Sequence, residues 1–248
     1  MNFRKRLHSG EQLIGTLLTL GSEDAAEILS QCHFDWLFID LEHSAMGPAE
    51  AQRLLQAIGN RTSTLVRIES RDEVGIRKAL DLGATGIIVP QVNSRADAER
   101  VVCLSKFPPL GSRSVGLGRA TNFGNSFSDY LTRANAESAI VLQIEHAQAV
   151  ENLAEIAEVK GIDAFFVGPY DLSASYGKPG ELTAPEVVSA IKEILAIARS
   201  CDIPCGIFAG SSVVARQYLE LGFTLIAVAS DGILLGRAAE AELKSIRG

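Results

Sequence analysis

The chain has 248 residues, 47% of them hydrophobic, and a formal net charge of −7. It carries no run of Lys and Arg, and no apolar stretch of the roughly 20 residues that a membrane-spanning helix needs. Nucleic acid and membrane are therefore not expected partners. The basic N-terminal segment lacks the apolar core of a secretory signal. No two of the four cysteines form a CxxC pair, so we expect a cytoplasmic protein with reduced, mostly buried thiols.

Short apolar runs alternate with helical patterns along the chain. The runs end at glycine, proline or polar residues, which is typical of buried parallel strands. Strands are predicted at residues 13–20, 35–39, 64–68, 86–90, 139–144, 163–167, 204–208 and 223–228. Helices are predicted at 3–9, 22–31, from 47, 72–82, 94–106, 126–135, 148–158, 185–199, from 209 and from 231. Two stretches, 107–124 and 171–182, are expected to be irregular.

Eight strands that alternate with helices predict a single (β/α)8 barrel of the TIM type, with one domain over residues 1–248. A doubly wound open sheet is the alternative. That fold normally carries a GxGxxG motif after its first strand, and none is present there.

Polar residues collect at the predicted strand ends, where barrels bind their ligands. Glu145 and Asp171 follow the fifth and sixth strands, which are neighbours in a barrel. Two hard oxygen ligands on adjacent strands suit Mg²⁺ or Mn²⁺. Either acid could instead cap a helix or oppose its dipole, but the pair favours a metal site. The other strand-end candidates are Asp40, Glu42, His43, Arg67, Gln91, Gln143, His146, Ser211 and Asp231.

This set of polar side chains at the strand ends suits proton abstraction beside a carbonyl group. His43 would move the proton and Arg67 would hold the oxyanion, although either could have a purely structural role. Imine chemistry needs a desolvated lysine at a strand end. None of the seven lysines ends a predicted strand, so an enolate stabilised by a metal is favoured. Asp81 lies in a helix, and periodicity alone predicts that it faces solvent.

Two loops after the seventh and eighth strands indicate a different ligand. Residues 208–212 and 229–232 are similar to the phosphate-binding loops of barrels. Asp231 would already occupy the positive end of the last helix, which argues against an anion there.

Several motifs resemble, in order, those of the HpcH/HpaI aldolases, which are metal-dependent pyruvate aldolases. They are FDWLFIDLEH (34–43), LVRI (65–68), KALDLGATGIIVPQV (78–92), FPPLGSRSVG (107–116), VLQIE (141–145) and VGPYDLS (167–173). The resemblance runs from about Gly15 to Ala239. It implies reversible cleavage of a 4-hydroxy-2-oxo acid to pyruvate and an aldehyde through a metal-bound enolate.

The resemblance also implies a role for each site residue. Glu145 and Asp171 would bind the metal, with Co²⁺ or Zn²⁺ as further options beside Mg²⁺ and Mn²⁺. His43 would be the base, Asp81 would raise its basicity, and Arg67 would stabilise the enolate. The pyruvate moiety would be held by Gln143 and by the backbone amide at Tyr170.

Family members commonly form hexamers, as trimers of dimers, in which the last helix swaps between subunits. The resemblance implies the same arrangement here, with an active site near a subunit interface, and this would explain the apolar face around Leu234, Leu235 and Ala238. The sequence departs from the family at Ser114, His146 and Tyr170, which leaves the aldehyde open.

Two rival functions share the barrel. A citrate-forming condensation or a CoA-ester lyase would use the same enolate chemistry, with Arg113 and Arg119 as the candidates for CoA phosphates. A non-catalytic binding protein is the third possibility.

Overall fold

The computed structural model describes residues 2–248 and shows eight parallel strands in a closed barrel. Each strand pairs with the next along the chain, and the first pairs with the last. The predicted (β/α)8 barrel is therefore confirmed. The strands are β1 (Leu13–Leu18), β2 (Trp36–Asp40), β3 (Ser63–Arg67), β4 (Gly86–Val89), β5 (Ala139–Ile144), β6 (Ala164–Val167), β7 (Cys205–Ala209) and β8 (Leu225–Ser230).

Helices connect the strands on the outside of the barrel. The helices are α1 (Phe3–His8), α2 (Glu23–Gln31), α3 (Pro48–Ile58), α4 (Glu73–Asp81), α5 (Arg95–Ser105), α6 (Phe127–Glu137), α7 (Ala147–Glu151), α8 (Leu153–Ala157), α9 (Pro169–Ser175), α10 (Pro185–Ser200), α11 (Ser212–Leu221) and α12 (Asp231–Arg247). A 3₁₀ turn spans Arg119–Thr121 within the stretch predicted to be irregular. The helix predicted at 148–158 is divided at Asn152 into α7 and α8.

The apolar core has two parts. One lies between the strands and the surrounding helices, and the other fills the inside of the barrel. The inner part contains stacked and edge-to-face rings of Trp36, Phe38 and Phe166. Gly15 makes room for this packing, because a Cβ atom there would lie 2.6 Å from Trp36. A tightly packed interior of this kind gives a rigid platform for the loops at either end.

The last helix, α12, leaves the barrel. Asp231 is buried at its start, but every residue from 235 to 248 is exposed. Leu235 is 66% exposed and Ile246 is 81% exposed. The helix thus keeps the apolar surface that the sequence predicts, while an exchange between subunits stays a prediction.

Two further expectations concern single features. Among residues 2–248, no helix combines the length and the apolar character that crossing a bilayer would require. The prediction of mostly buried thiols is wrong, since Cys32, Cys103 and Cys201 are exposed and Cys205 alone of the four is buried.

Candidate active site

An ion pair joins two neighbouring strands at the C-terminal end of the barrel. Asp40 ends β2, Arg67 ends β3, and the strand register places them side by side. Arg67 Nε and Nη2 donate to the two carboxylate oxygens of Asp40 at 2.8 and 2.6 Å. Burial opposes ionisation, yet the guanidinium and two backbone amides hold the pKa of Asp40 below its usual range. Nη1 of Arg67 extends toward the centre of the site, 3.4 Å from Gln143 Oε1.

The same carboxylate fixes the loop that carries His43. Asp40 Oδ1 accepts hydrogen bonds from the backbone N–H groups of Glu42 and His43, at 3.0 and 3.3 Å. The Nε2 atom of His43 lies 3.8 Å from Glu42 Oε2 and 3.8 Å from Asp171 Oδ2. The side chain is 57% exposed. The predicted base therefore stands between two acids and remains open to an incoming substrate.

Glu42 is a partly buried acid, with a side chain that is 16% exposed, and its charge is incompletely compensated. Its Oε2 lies 3.3 Å from Arg67 Nε, but that N–H points at Asp40, so the oxygen accepts no hydrogen bond. Burial raises the pKa of Glu42 to about 7, against the effect of Arg67 and together with repulsion from Glu145. The sequence places Glu42 at a strand end without giving it a role, and the inaccessible, unpartnered Oε2 atom reveals it as part of the site.

Glu145 follows β5 and is 1% exposed. Its Oε1 accepts a hydrogen bond from the backbone N–H of Gln91 at 2.8 Å, and its Oε2 accepts one from Gln143 Nε2. Burial raises the pKa of Glu145; the two hydrogen bonds oppose this, and the charge of Asp171 adds to it. Gly168 leaves space here, because a Cβ atom on it would lie 3.0 Å from Glu145 Oε2.

Asp171 lies in the first turn of α9, where the helix dipole favours a negative charge. Its side chain is 44% exposed. The prediction of an irregular stretch over residues 171–182 is wrong for residues 171–175, which continue α9, and confirmed for 176–182, which form no helix or strand. Pro169 at the start of the helix is the signal for it, since proline fits the first helical position.

The site has more negative than positive charge. Asp40, Glu42, Glu145 and Asp171 converge on it, and Arg67 is the only guanidinium among the residues that line its cavity. Within residues 2–248, no group of three or more His, Cys, Asp or Glu side chains is arranged to bind a metal. Mg²⁺, however, is usually held by one or two carboxylates and keeps several waters. The unpartnered Glu42 oxygen and the raised pKa of Glu145 both reflect this excess of negative charge, which a bound cation would compensate.

Asp81 does not reach this site within one chain. It ends α4, which runs from the C-terminal to the N-terminal end of the barrel, so Asp81 and His43 lie at opposite ends. Its Oδ1 accepts a hydrogen bond from Arg113 Nη2 at 2.7 Å. The expected effect of Asp81 on His43 is therefore not realised inside a single subunit. Its side chain is 26% exposed, so the expectation of a solvent-facing residue holds only in part.

Tyr170 borders the site through its side chain as well as its backbone. A cavity of about 250 Å³ is lined by His43, Arg67, Gln143 and Asp171, and Tyr170 forms part of its wall. The phenol is 49% exposed, and its ring centroid lies 6.0 Å from that of Phe208.

The loop after β8 offers an anion little. Asp231 accepts hydrogen bonds from the backbone N–H groups of Thr19, Leu20 and Gly232, at distances of 2.8 to 3.1 Å. Its own carboxylate thus occupies the amides that a phosphate would need. His146 is also accounted for locally, because its Nδ1 caps α7 by accepting the N–H of Gln148 at 3.1 Å.

Known proteins similar to this chain share its fold along nearly its whole length. Residues 14–238 match the family model described as HpcH/HpaI aldolase/citrate lyase. A hydroxypyruvate/pyruvate aldolase of Sagittula stellata is 38% identical over 96% of this chain and 94% of its own. A 4-hydroxy-2-oxo-heptane-1,7-dioate aldolase of Shigella sonnei is 39% identical over 97% of this chain and 92% of its own.

A solved structure agrees with these relatives. The crystal structure of an HpcH/HpaI aldolase/citrate lyase family protein from Burkholderia cenocepacia has a TM-score of 0.96 and 38% identity, with 99% of this chain and 98% of the other covered. Both curated relatives are named aldolases, so the aldolase function is supported over the citrate-lyase alternative. The chain is therefore an enzyme that belongs to the HpcH/HpaI aldolase/citrate lyase family.

Proposed function

We propose that this enzyme is a divalent-metal-dependent aldehyde-lyase that reversibly cleaves a 4-hydroxy-2-oxo acid to pyruvate and an aldehyde. The observation that carries the proposal is the convergence of Glu145 and Asp171 with His43 and Arg67 at one end of the barrel. The names of the curated relatives, which refer to pyruvate and to a 4-hydroxy-2-oxo acid, support this class of substrate.

Glu145 and Asp171 are the residues that would hold the cation. Mg²⁺ or Mn²⁺ fits a pair of carboxylates with open positions better than Co²⁺ or Zn²⁺, which prefer nitrogen and sulfur ligands. When bound, the cation would polarise the keto oxygen of the substrate and stabilise negative charge on it.

The side chains of this chain would do the rest of the chemistry. In the cleavage direction, His43 Nε2 accepts the proton of the C4 hydroxyl group, the C3–C4 bond breaks, and the aldehyde leaves. The electron pair of that bond stays with pyruvate as its enolate, which then takes a proton at C3. Arg67 Nη1 and Gln143 face the developing charge. The amide of Tyr170 would hold the pyruvate carboxylate, because first-turn amides have no partner within a helix.

Asp81 fits this scheme only across a subunit interface. Because it lies at the opposite end of the barrel from His43, a second copy would have to supply it. The exposed helix α12 provides surface for such an assembly, and we propose a homo-oligomer, a hexamer built as a trimer of dimers.

Mixing two inactive variants tests the interface directly. Protein co-assembled from His43→Ala and Asp81→Ala subunits should regain part of the activity, because some interfaces would carry both wild-type residues. Activity that stays at the level of the separate variants would place Asp81 outside the catalytic assembly.

The alternative function as a CoA-ester lyase depends on two arginines as candidates for binding the phosphates of CoA, and both already have partners within the chain. Arg113 has a side chain that is 1% exposed and is paired with Asp81. Arg119 donates to the carbonyl oxygens of Leu55 and Leu82. Both guanidinium groups are thus engaged within the chain, which argues against a role for either in binding the phosphates of CoA.

Metal binding tests the proposal independently of turnover. Wild-type protein, freed of metal, should bind one Mn²⁺ per chain in an electron paramagnetic resonance titration. Glu145→Gln and Asp171→Asn should bind it at least tenfold more weakly, whereas Glu155→Gln on α8 should not differ from wild type. Full aldolase activity in chelator-treated Glu145→Gln would contradict the proposal. Metal binding without turnover on a panel of 2-oxo acids and aldehydes would favour a binding protein.

A further inference from the structure

The lining of the cavity combines two kinds of surface. The polar groups that act on the 2-oxo acid, His43, Arg67, Gln143 and Asp171, come from the ends of β2, β3, β5 and β6. The side chains of Leu17, Phe208 and Ile233 come from β1, β7 and the start of α12, and they form a mainly apolar surface with the ring of Tyr170, beside the hydroxyl groups of Thr19 and Ser230. We expect the part of the aldehyde beyond its reacting carbon to lie against this second surface.

Tyr170 is the side chain that shapes this surface. It directly precedes Asp171 in the first turn of α9, so its position is fixed relative to one of the proposed metal ligands. Its ring lies 6.0 Å from that of Phe208, at an interplanar angle of 56°. A Cβ atom on Gly210 would lie 3.6 Å from the phenol oxygen. The ring therefore extends from the end of β6 toward the end of β7, as a wall beside the cavity.

Within one chain, a negatively charged substrate tail would find no cation in the cavity other than Arg67. Arg67 is the one Lys or Arg side chain that lines it, and two of its nitrogens are bound to Asp40. Arg237 lies near the same edge, but its Nη2 donates to the carbonyl oxygen of Gly210 at 2.9 Å, and it does not line the cavity. A carboxylate placed against this wall would lose hydration and would gain at most a neutral hydroxyl donor, from Tyr170 or Ser230, instead of a cation.

We propose that Tyr170, together with Phe208, selects neutral aldehydes with an apolar tail and disfavours aldehydes that carry a carboxylate. This inference rests on the proposed aldolase function and names the class of its second substrate. Tyr170 acts here through its side chain, whereas its backbone amide serves the pyruvate end.

Two aldehydes of equal size isolate the charge. In 4-methylpentanal, two methyl groups occupy the positions of the two carboxylate oxygens of succinic semialdehyde. With pyruvate as donor, wild-type enzyme should show a kcat/KM at least about tenfold higher for 4-methylpentanal. The reason is that the carboxylate of succinic semialdehyde would lose hydration in the cavity without a cation to pair with it. Equal values, or a preference for succinic semialdehyde, would overturn the inference.

Substitutions at the wall should change this preference. Tyr170→Arg supplies the missing cation, so the ratio of the two kcat/KM values should move at least about tenfold toward succinic semialdehyde. Val213→Arg adds the same charge on α11 outside the cavity lining and should leave the ratio within about twofold. Arg237→Gln should also leave it unchanged; a selective loss of succinic semialdehyde activity in this variant would assign the tail to Arg237 and overturn the inference.

Tyr170→Ala tests the same surface in case Tyr170→Arg folds poorly. Tyr170→Ala shortens the wall, so the preference for 4-methylpentanal over acetaldehyde should fall about fivefold or more, whatever the absolute activity. An unchanged preference would remove Tyr170 as a determinant.

The donor half of the reaction separates this inference from the proposed function. Exchange of the C3 protons of pyruvate in D₂O, followed by NMR, reports enolate formation without any aldehyde. Wild-type enzyme that neither exchanges these protons nor adds acetaldehyde would refute the proposed function and the inference with it. Enzyme that does both but prefers succinic semialdehyde would refute only the inference.

Discussion

The two ends of the barrel differ in how far their buried carboxylates are compensated by hydrogen-bond donors and cations. At the N-terminal end, Asp163 is fully buried and its oxygens accept hydrogen bonds from Arg4 Nε at 2.5 Å, His8 Nε2 at 2.8 Å and the backbone N–H of Ile140 at 2.8 Å. Two of these donors lie on α1, which also inserts Phe3 into the inner core. The carboxylate thus fastens α1 to the barrel.

At the C-terminal end, the carboxylates outnumber the cations that compensate them. Burial raises the pKa of both Glu42 and Glu145, and one oxygen of Glu42 accepts no hydrogen bond. A buried charge without a partner is strongly destabilising in the absence of a ligand, whereas a paired and hydrogen-bonded buried charge avoids most of that cost. The difference indicates that the N-terminal end maintains the fold and the C-terminal end is organised for a ligand.

The largest expected effect is on activity alone. Replacing His43 with Ala removes the base from the open side of the site, so aldolase kcat should fall about 10²- to 10⁴-fold. The free energy of unfolding should hardly change, because the side chain is 57% exposed. His33→Asn is a suitable control, since His33 has a φ of 61°, which Asn tolerates. A retained kcat in His43→Ala would assign the proton transfer to another group.

Arg67→Ala should affect both activity and stability. It leaves Asp40 buried and unpaired, which typically costs about 3–5 kcal/mol of unfolding free energy, and it removes the guanidinium that faces the developing charge. Denaturant unfolding and kcat/KM should therefore fall together. A variant that loses activity at unchanged stability would show that the Asp40 pair contributes little to the fold.

Asp163→Ala is the matching change at the N-terminal end. It removes three hydrogen bonds from one buried carboxylate, and we expect a loss of about 2–4 kcal/mol in unfolding free energy, reduced by the partial exposure of Arg4 and His8. The kcat per folded molecule should stay within about twofold of wild type. A kcat that falls as far as in His43→Ala would end the distinction between the two ends. Glu11→Ala, at an exposed ion pair with Arg6, is the control.

The sequence predicts which charged residues lie at the strand ends better than it predicts which groups compensate their charges. Alternating apolar runs are sufficient for eight strands, and neighbouring parallel strands place Glu145 beside Asp171. The pairing of Asp40 with Arg67 depends on a cross-strand register that spacing alone does not specify. Asp81 shows a second limit: the motif suggests a role, but the direction of α4 puts the residue at the other end of the barrel.

The burial of Lys106 is not predicted from the sequence, for a related reason. It ends the helix predicted at 94–106, where nothing in the sequence pattern indicates burial, yet it is 4% exposed. Its Nζ donates to the carbonyl oxygens of Asn135 and Ser138 at 2.9 and 3.3 Å. The burial results from the packing of the stretch 107–124 and of α6, which no local pattern specifies.

The last and smallest expected effect concerns Lys106. It tests whether uncompensated buried charge occurs only at the active-site end of the barrel. Burial lowers the pKa of Lys106 from 10.5 to about 8, although Asp163 opposes this. Between pH 8 and 10.5 the unfolded chain binds more protons here than the folded chain, so this residue's contribution to stability increases as pH rises through that window and is lost as pH falls through 8. The full shift corresponds to about 3 kcal/mol at most.

Comparison of wild type with Lys106→Met, which keeps the length of the side chain, isolates this contribution. The unfolding free energy of wild type minus that of the variant should increase by about 2 kcal/mol from pH 7 to pH 10. Lys192→Met, at an exposed position of α10, should give no such slope. A slope for Lys106 would mean that the N-terminal end also tolerates one unfavourable buried charge, held by two carbonyl oxygens. A flat difference would mean that those two hydrogen bonds compensate the burial, and that charge imbalance is a property of the active-site end alone.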